Sequence, residues 1–282
     1  MTKTFIKPFP RVVRIEPSAA CNLACSHCPT GTTKMTRGIM SWDTFERILR
    51  SIKDNLSYVK VVVLYHGGEP FLNKNFVQML KEIKNQNQEI FVKTVTNGML
   101  LKDEIIEGVV KYKLDLIEFS LDAESPQQSE IIRRNSNFEA IKKNVHLLIA
   151  YKIKTNLEKP EINLSTTQFV DPKNYSKNQS PPAPQYLTEH FNTFLEKKFI
   201  TKIKLAYAMR WSVMNIEPQY DLFFDPYDTE TKNFCDHVEN TVTVRYNGDV
   251  VACCYDLTSA VILGIFVRVI CMQFGIILHI LN

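Results

Sequence analysis

The sequence predicts an α/β protein: a parallel sheet with helices outside it, curved or closed as a partial (βα)6, TIM-like barrel. Three observations carry the prediction. Six short runs rich in β-branched residues alternate with helix-like segments between residues 11 and 208, and such alternation is the mark of a parallel sheet. At 282 residues the chain can form one barrel-sized domain with a small appendage. A composition of 45% hydrophobic and 23% charged residues is ordinary for a soluble globular protein.

RVVRIE (11–16) reads as a short strand feeding a cysteine-rich loop. SWDTFERILRSI (41–52) has helical spacing of Trp42, Phe45, Ile48 and Leu49, with Ser41 as N-cap. YVKVVVLY (58–65) is a buried strand ending at His66-Gly67-Gly68-Glu69-Pro70, and a helix follows from Phe76 to Lys84. EIFVKTV (89–95) stops at Thr96-Asn97-Gly98, and DEIIEGVVKY (103–112) is a helix opened by acidic residues. LDLIEFSL (114–121) is the fourth strand, followed by helical residues from Gln127 through Tyr151. EINLSTTQFV (161–170) is the fifth strand, and DPKNYSKNQSPPAPQ (171–185) is a polar, proline-rich loop. QYLTEHFNTFLEKK (185–198) is the fifth helix and TKIKLAYA (201–208) the sixth strand.

The formal net charge of +4 is small for this size. It gives no case for a nucleic acid or membrane partner and leaves a solvated mixed surface. The N-terminal residues MTKTFIKPFPRV contain no apolar stretch long enough for a secretory signal. Seven cysteines, three of them within eight residues, suit metal ligation in a reducing compartment better than a disulfide framework. The expected location is therefore cytoplasmic.

The decisive stretch is Cys21-Asn-Leu-Ala-Cys25-Ser-His27-Cys28. Protein thiolates usually hold every iron of a cubane iron–sulfur cluster. Three closely spaced cysteines hold three corners and leave one iron open, as a catalytic zinc keeps one vacant position. A structural zinc site with His27 as fourth ligand is the competing reading. Its difficulty is that His27 immediately precedes Cys28 and is hard to turn onto the same metal.

The later strand ends are weaker signals. Gly67 and Gly68 remove side chains so that backbone can approach a ligand, and Glu69 can accept from an ammonium; a simple turn is the alternative. Asn97 and the pair Ser120 and Asp122 end the next two strands. They read either as ligand contacts or as turn and N-cap chemistry. Arg133 or its neighbour Arg134 can meet a carboxylate bidentately, or both are exposed helix charges. All fall at carboxyl ends of strands, where parallel barrels build their sites.

The C-x3-C-x2-C pattern on the loop after a first strand resembles the signature of radical S-adenosylmethionine (radical SAM) enzymes. His66-Gly67-Gly68-Glu69-Pro70 resembles that family's GGEP motif, and the likeness runs over roughly residues 10–256. The resemblance implies a 4Fe-4S cluster on Cys21, Cys25 and Cys28. It implies that S-adenosyl-L-methionine chelates the open iron, with His27 near the adenine. Gly67, Gly68, Glu69, Asn97, Ser120, Asp122 and Arg133 are the implied cofactor contacts. One electron would cleave the sulfonium, giving methionine and a 5′-deoxyadenosyl radical that takes a hydrogen atom from substrate. A reductant such as a flavodoxin or ferredoxin is the implied partner.

Residues from Cys235 onward resemble the start of a SPASM or shorter twitch module, which carries auxiliary iron–sulfur clusters. VTVRYNGDVVACCYD (242–256) reads as a hairpin with Asn247-Gly248 as its turn. Gly248 and Cys253 match the family's G-x4-C element, so Cys235, Cys253 and Cys254 are candidate ligands of a second Fe-S cluster; buried strand cysteines are the alternative. The further cysteine-rich run of that module does not follow. After Gly264 the chain reads IFVRVICMQFGIILHILN, which carries Arg268 as its sole formal charge. The expected organisation is a core barrel at 10–210, a linker and incomplete module at 211–264, and an atypical apolar tail at 265–282. An out-of-frame ending is one account of that tail, in which case Cys254 or Cys271 would have to complete an auxiliary site.

The expected function is reductive cleavage of S-adenosylmethionine and hydrogen abstraction from an organic substrate. Oxidation of a small molecule such as an alcohol, and modification of a peptide, are both implied outcomes. Only about ten residues precede the first strand, so the winged-helix segment common to peptide modifiers is not seen. His66 and the loop 171–185 are candidate substrate contacts. The different-class alternative is a non-catalytic or degenerate scaffold holding zinc or an inert cluster.

Overall fold

The computed structural model describes residues 8–168, 183–207 and 235–266. The linker at 211–234, most of the loop 171–185, and the tail beyond Phe266 with Cys271 lie outside the described residues. In chain order the elements begin with β1 (Val12–Ile15), α1 (Pro29–Thr32), α2 (Trp42–Asp54), β2 (Val61–Val63), a 3-10 turn (Pro70–Leu72), α3 (Phe76–Gln86) and β3 (Phe91–Thr96). Next come α4 (Asp103–Lys111), β4 (Leu116–Ser120), α5 (Pro126–Ile132), α6 (Phe138–Thr155), β5 (Glu161–Gln168), α7 (Gln185–Glu196) and β6 (Lys202–Tyr207). The last are α8 (Asp236–Asn240), β7 (Thr241–Val244), β8 (Asp249–Val251) and β9 (Ile262–Ile265).

The chain divides into two compact units. The first comprises residues up to Ala20, Thr36–Lys93 and those from Lys232. Its strands lie in the order β3-β2-β1-β7-β8-β9. The β2–β3, β1–β2 and β1–β7 pairs are parallel, while β8 and β9 return antiparallel. Val13, Ile15, Val62 and Val244 are buried, and so are their neighbours Arg14, Val63 and Thr243, as in strands covered on both faces. α2 starts where expected: Ser41 Oγ accepts from the Thr44 N–H, and Phe45, Ile48 and Ile52 form its buried stripe. The hairpin turn stands at Asn247-Gly248, with Gly248 at φ +93°. The parallel pairing of β7 with β1, and β9 itself, were not anticipated. No local pattern announces a partner more than 200 residues away.

The second unit comprises Cys21–Met35 and Thr94–Thr231. Here β6, β5, β4 and the end of β3 are neighbours in that order, with β4–β5 and β5–β6 parallel. Helices α4 to α7 alternate with the strands. The helix expected from Gln127 through Tyr151 is two helices, not one. α5 ends at Ile132, Asn135 takes φ +73°, and Asn137 caps α6 by accepting from the Ala140 N–H. Asparagine tolerates the left-handed region and favours N-caps, so Arg133-Arg134-Asn135-Ser136-Asn137 breaks the helix despite its length. Among the described residues no helix is long and apolar enough to cross a membrane. The α/β class expected from the sequence is the one observed.

Candidate functional site

The cysteine loop folds on itself at the edge of the second unit. Cys28 donates its N–H to the Cys25 carbonyl at 3.3 Å and caps α1, whose first residue is Pro29. Proline suits that position because its missing N–H would have no helical partner. Gly31 passes so close to the Ala24–Cys25 backbone that a Cβ there would collide with it. That glycine carried no motif and was missed from sequence. The loop is pinned from outside by α5's end: Ala24 and Ser26 donate their N–H groups to the carbonyls of Arg134 and Ile132 at 3.0 and 2.9 Å.

All three cysteines are free thiols, Cys25 buried and Cys21 and Cys28 half-buried. Cys21 Sγ accepts from the Leu23 N–H at 3.4 Å and from the Asn97 amide at 3.8 Å. Burial pushes the Cys25 thiol up to about 12, opposed by Arg133 and reinforced by Cys28, Asp122 and Cys21. Cys25 therefore keeps its proton until a metal displaces it. Among the described residues no group of three or more His, Cys, Asp or Glu side chains gathers for a single metal ion. The donor set itself fits an iron–sulfur cluster: three thiols on one short loop, with N–H groups aimed at one sulfur.

Asn97 unites the two readings that its position allowed. Its Oδ1 accepts from the Met99 N–H at 2.9 Å, as in an Asx turn, while its amide reaches Asn22 Oδ1 at 2.8 Å and Cys21. Gly98, at φ +77°, packs against Ile141 and Phe119.

Asp122, at the end of the fourth strand, is not an N-cap; Ser125 caps α5. The Asp122 carboxylate is instead the hub of a buried network. Oδ2 lies 2.6 Å from Arg133 Nη1 and 3.3 Å from His27 Nε2, and Oδ1 accepts from the Thr167 N–H at 3.0 Å. Burial alone would raise the Asp122 pKa, but Arg133 and His27 outweigh it and hold it below the ordinary value. Burial pushes His27 down, with Asp122 opposing and Arg133 assisting. A neutral His27 meets a carboxylate by donating from Nε2, since the carboxylate only accepts. Arg133 thus sits on Asp122, with its Nε buried and unpartnered among the described residues. Ser120 lies beside Ser165 across the β4–β5 pair.

In the first unit, Gly67, Gly68 and Glu69 close on the residues just ahead of the cysteine loop. Glu69 donates its N–H to the Ala20 carbonyl at 2.9 Å, and a Cβ on Gly68 would collide with the Ser18 and Ala20 carbonyls. Gly67 N–H donates to Glu16 Oε1 at 2.9 Å. Glu69's carboxylate accepts from the Phe71 N–H at 3.2 Å, capping the 3-10 turn. Glu16 and Arg245, which the sequence reading missed, form a buried pair at 2.6 Å. The available signal is charge in and just after β1, with Arg14 and Glu16 alternating with buried Val13 and Ile15.

Cys253 and Cys254 follow β8 in the same unit, both half-buried, and Cys235 is exposed. Burial pushes Cys254 up to about 11, opposed by Arg14 and reinforced by Cys253 and Cys235. Cys253 Sγ accepts from the Tyr255 N–H at 3.4 Å, the same i, i+2 arrangement as Cys21 with Leu23. His66, beside this group, bonds the Asp256 carbonyl through Nε2 at 3.2 Å.

The chain belongs to the Radical SAM superfamily, whose family profile matches residues 15–158. It is 25% identical over 262 residues to the tungsten-containing aldehyde ferredoxin oxidoreductase cofactor-modifying protein of Pyrococcus furiosus, covering 85% of this chain and 69% of that one. It is 29% identical over 140 residues to a probable GTP 3′,8-cyclase of Methanococcus maripaludis, covering 49% of this chain and 45% of the cyclase. The chain thus spans less than half the cyclase's length. Among solved structures, anSMEcpe with bound AdoMet has a TM-score of 0.62 at 14% identity, covering 94% of this chain and 81% of that one. The same protein with AdoMet and Cp18Cys peptide has a TM-score of 0.58 at 15% identity, covering 93% and 78%. At these identities the structural likeness establishes the fold alone.

Proposed function

We propose that this chain cleaves S-adenosylmethionine reductively at a 4Fe-4S cluster held by Cys21, Cys25 and Cys28, and takes a hydrogen atom from an organic substrate. The observation that carries the reading is one short loop bearing three free thiols, with the Asn97 amide reaching Cys21. When bound, the cluster and S-adenosylmethionine supply one-electron cleavage of a sulfonium and, from it, hydrogen-atom abstraction. The chain's own residues bind and orient. Leu23 and Asn97 stabilise the Cys21 thiolate by donating to it. His27, neutral and anchored by Asp122, is held at a fixed angle beside Cys28. Gly67 and Gly68 keep the GGEP-type segment free of side-chain bulk, and Ser120 stands at a strand end for a ribose or substrate hydroxyl.

Cys235, Cys253 and Cys254 are the proposed donors of a second cluster, supported by Cys254's proximity to the other two and by the Tyr255 N–H on Cys253. We assign the electron source to a flavodoxin or ferredoxin in the cytoplasm, and the core function to residues 10–210. For the substrate, the relative of similar extent is a cofactor-modifying protein, whereas a structural neighbour was solved with a peptide. A small molecule is favoured by the match of 85% of this chain to the former.

Anaerobic reconstitution with iron and sulfide tests the reading. The expected result is about four irons at the first site, consistent with a cubane cluster, and 5′-deoxyadenosine on adding reductant and S-adenosylmethionine. Cys25→Ala removes both. A colourless zinc protein that makes no 5′-deoxyadenosine overturns the reading in favour of a scaffold. Unchanged iron content in Cys235→Ala and Cys253→Ala, measured separately, overturns the second cluster.

A further inference from the structure

We propose that the face of the β4–β5–β6 sheet turned away from α6 holds the substrate, and that Asn163 Oδ1 and the Glu118 carboxylate select a small molecule presenting an ammonium or hydroxyl donors. The proposal deepens the small-molecule reading above and rests on it.

Strand register defines the face. Side chains alternate across a strand, and paired residues of parallel neighbours point the same way. Ile117 and Phe119 of β4 are fully buried, and a Cβ on Gly98 would meet both Phe119 and Ile141 of α6, so theirs is the helix-covered face. Ile162 and Leu164 of β5 pair with them there. Glu118 and Ser120 therefore take the opposite face, where their β5 partners are Asn163 and Ser165. From Glu118 and Asn163 onward, every side chain that β4 and β5 place on this face is polar, Thr167 included.

A solvated outer face would also be polar, but this one is not solvated where it begins. Asn163 is 4% exposed and the Glu118 side chain 12%. Asn163 Oδ1 is buried with no hydrogen-bond partner among the described residues. A buried acceptor left without a donor costs stability, and folded proteins retain few of them. A ligand that supplies the donor removes that cost. Ser165 and Thr167 are half-buried, so the face opens toward the strand ends. There the Thr167 N–H bonds Asp122 Oδ1 at 3.0 Å, and Asp122 also bonds His27 of the cysteine loop. The polar face thus leads to the candidate site within the second unit.

The donors and acceptors on the face decide the ligand. A carboxylate and a carboxamide oxygen both accept, and they stand on neighbouring strands about 4.8 Å apart. An ammonium or a pair of adjacent hydroxyls can bridge that gap. Glu118 already takes one ammonium: Lys204 Nζ lies 3.5 Å from its Oε1, on a side chain 56% exposed. Such an exposed ion pair is weak, so a ligand ammonium can displace it. Lys202 and Lys204 themselves need no ligand, because β6 is the edge of the sheet and lysines there block further strand pairing. An anionic or purely apolar ligand would leave Asn163 without a donor.

The test uses the full chain and two probes built on one ring, titrated by calorimetry. 2-Aminocyclohexanol carries the donors, and cyclohexanecarboxylate carries acceptors alone. The parent is expected to bind the amino alcohol at least tenfold more tightly than the carboxylate. Glu118→Gln, which removes the charge and keeps the shape, is expected to weaken the amino alcohol about tenfold. Asn163→Leu is expected to weaken it similarly and to raise the melting temperature of the free protein by on the order of 2–4 °C, because an orphaned acceptor leaves the interior. Equal affinity for the two probes, no binding of either, or binding unchanged in both variants overturns the proposal. A lowered melting temperature or failure to fold in Asn163→Leu shows that the fold itself satisfies Oδ1, and also overturns it. Binding is read without any cleavage step. A protein that binds the amino alcohol as expected but forms no 5′-deoxyadenosine therefore overturns the cleavage reading and leaves the specificity of this face established.

Discussion

Two buried arginine–carboxylate pairs, one in each unit, have the same separation and different consequences. Glu16–Arg245 and Asp122–Arg133 both close at 2.6 Å. Glu16 is 0% exposed and Arg245 1%; Asp122 is 2% and Arg133 8%. Distance and burial therefore do not separate them; their remaining valences do. Glu16 spends its other contacts on backbone, accepting from the Gly67 and Tyr246 N–H groups. Arg245 donates again to the Asp256 carbonyl. Asp122 bonds one backbone N–H but also the imidazole of His27, and Arg133 keeps a buried Nε unpartnered among the described residues. A pair saturated by backbone ties strands together. A pair whose members keep a valence toward reactive groups can act on those groups.

The largest expected effect breaks the first pair. Arg245→Ala leaves the Glu16 charge buried and uncompensated, which costs about 3–5 kcal/mol. Denaturant unfolding followed by far-UV circular dichroism measures it. The comparison is sharpened by replacing both partners with apolar residues of similar size, Glu16→Leu with Arg245→Met. For many buried pairs such a swap is neutral or stabilising. Here it is expected to remain destabilising, because the Gly67 and Tyr246 N–H groups both lose their acceptor and each orphaned donor costs about 1–3 kcal/mol. Full recovery of stability in the double variant would show that Glu16 acts as an ion-pair partner alone.

The next effect is a pH dependence centred on His66, which faces the same pair. Burial pushes His66 down to about 4 from an ordinary 6.5; Glu16 opposes the shift, while Arg245 and Arg14 assist it and the Asp256 carbonyl opposes it. The unfolded chain takes up this proton below about 6.5, but the folded one does not until about 4. The unfolded state thus binds more protons in that window, and stability falls as pH falls through it. A tenfold difference in proton affinity between the two states is worth about 1.36 kcal/mol, so the loss across the window is about 3 kcal/mol. Burial also lowers His27 and His146, which contribute with the same sign. The difference between the parent and His66→Gln in unfolding free energy from pH 7 to 4 isolates the His66 part; parallel curves would remove it.

What the sequence made legible follows the same division. The cysteine loop, the strand ends at Gly67, Asn97 and Asp122, and the Ser41 cap are local, so residue type and spacing suffice to find them. Arg133 and Asp122 both stand out in the sequence, Arg133 as a residue that meets a carboxylate or as an exposed helix charge, but their bond to each other does not, because the helix break at 133–137 that brings them together is not signalled by the helix period. Glu16–Arg245 was invisible for a different reason. It depends on β7 lying parallel to β1, a pairing across 229 positions that no local signal encodes. Fold class comes from repeated local pattern, whereas the partners of buried charges come from topology.

A third prediction compares the two adjacent glycines of the first unit. A Cβ on Gly67 meets the Glu16 carboxylate oxygen at 2.8 Å, a side-chain atom able to shift, whereas on Gly68 it meets the backbone of Ser18, Ala19 and Ala20. Gly68→Ala is therefore expected to cost about 1–3 kcal/mol, in the range of overpacked cores, and Gly67→Ala less. Thermal unfolding of the two variants checks the order. The reverse order would mean that Glu16 is held more rigidly than the backbone ahead of the cysteine loop.

The smallest effect concerns the helix break that delivers Arg133. α6 begins with two carboxyl- or amide-type caps: Asn137 Oδ1 takes the Ala140 N–H and Glu130 Oε1 takes the Phe138 N–H, both at 2.8 Å. Asn137→Ala removes one of them and costs about 1 kcal/mol, or about 2–4 °C in Tm for a domain of 150–250 residues. Asn137→Asp retains the cap and is expected to restore it. Arg133 is held independently, through its own N–H to the Ser129 carbonyl at 2.7 Å, the Ser136 N–H on its carbonyl at 2.9 Å, and Asp122. A loss near that of Arg245→Ala would mean that the cap at α6 positions the guanidinium. In that event the Asp122–Arg133 pair would follow from the break and would not be what holds the charge in place.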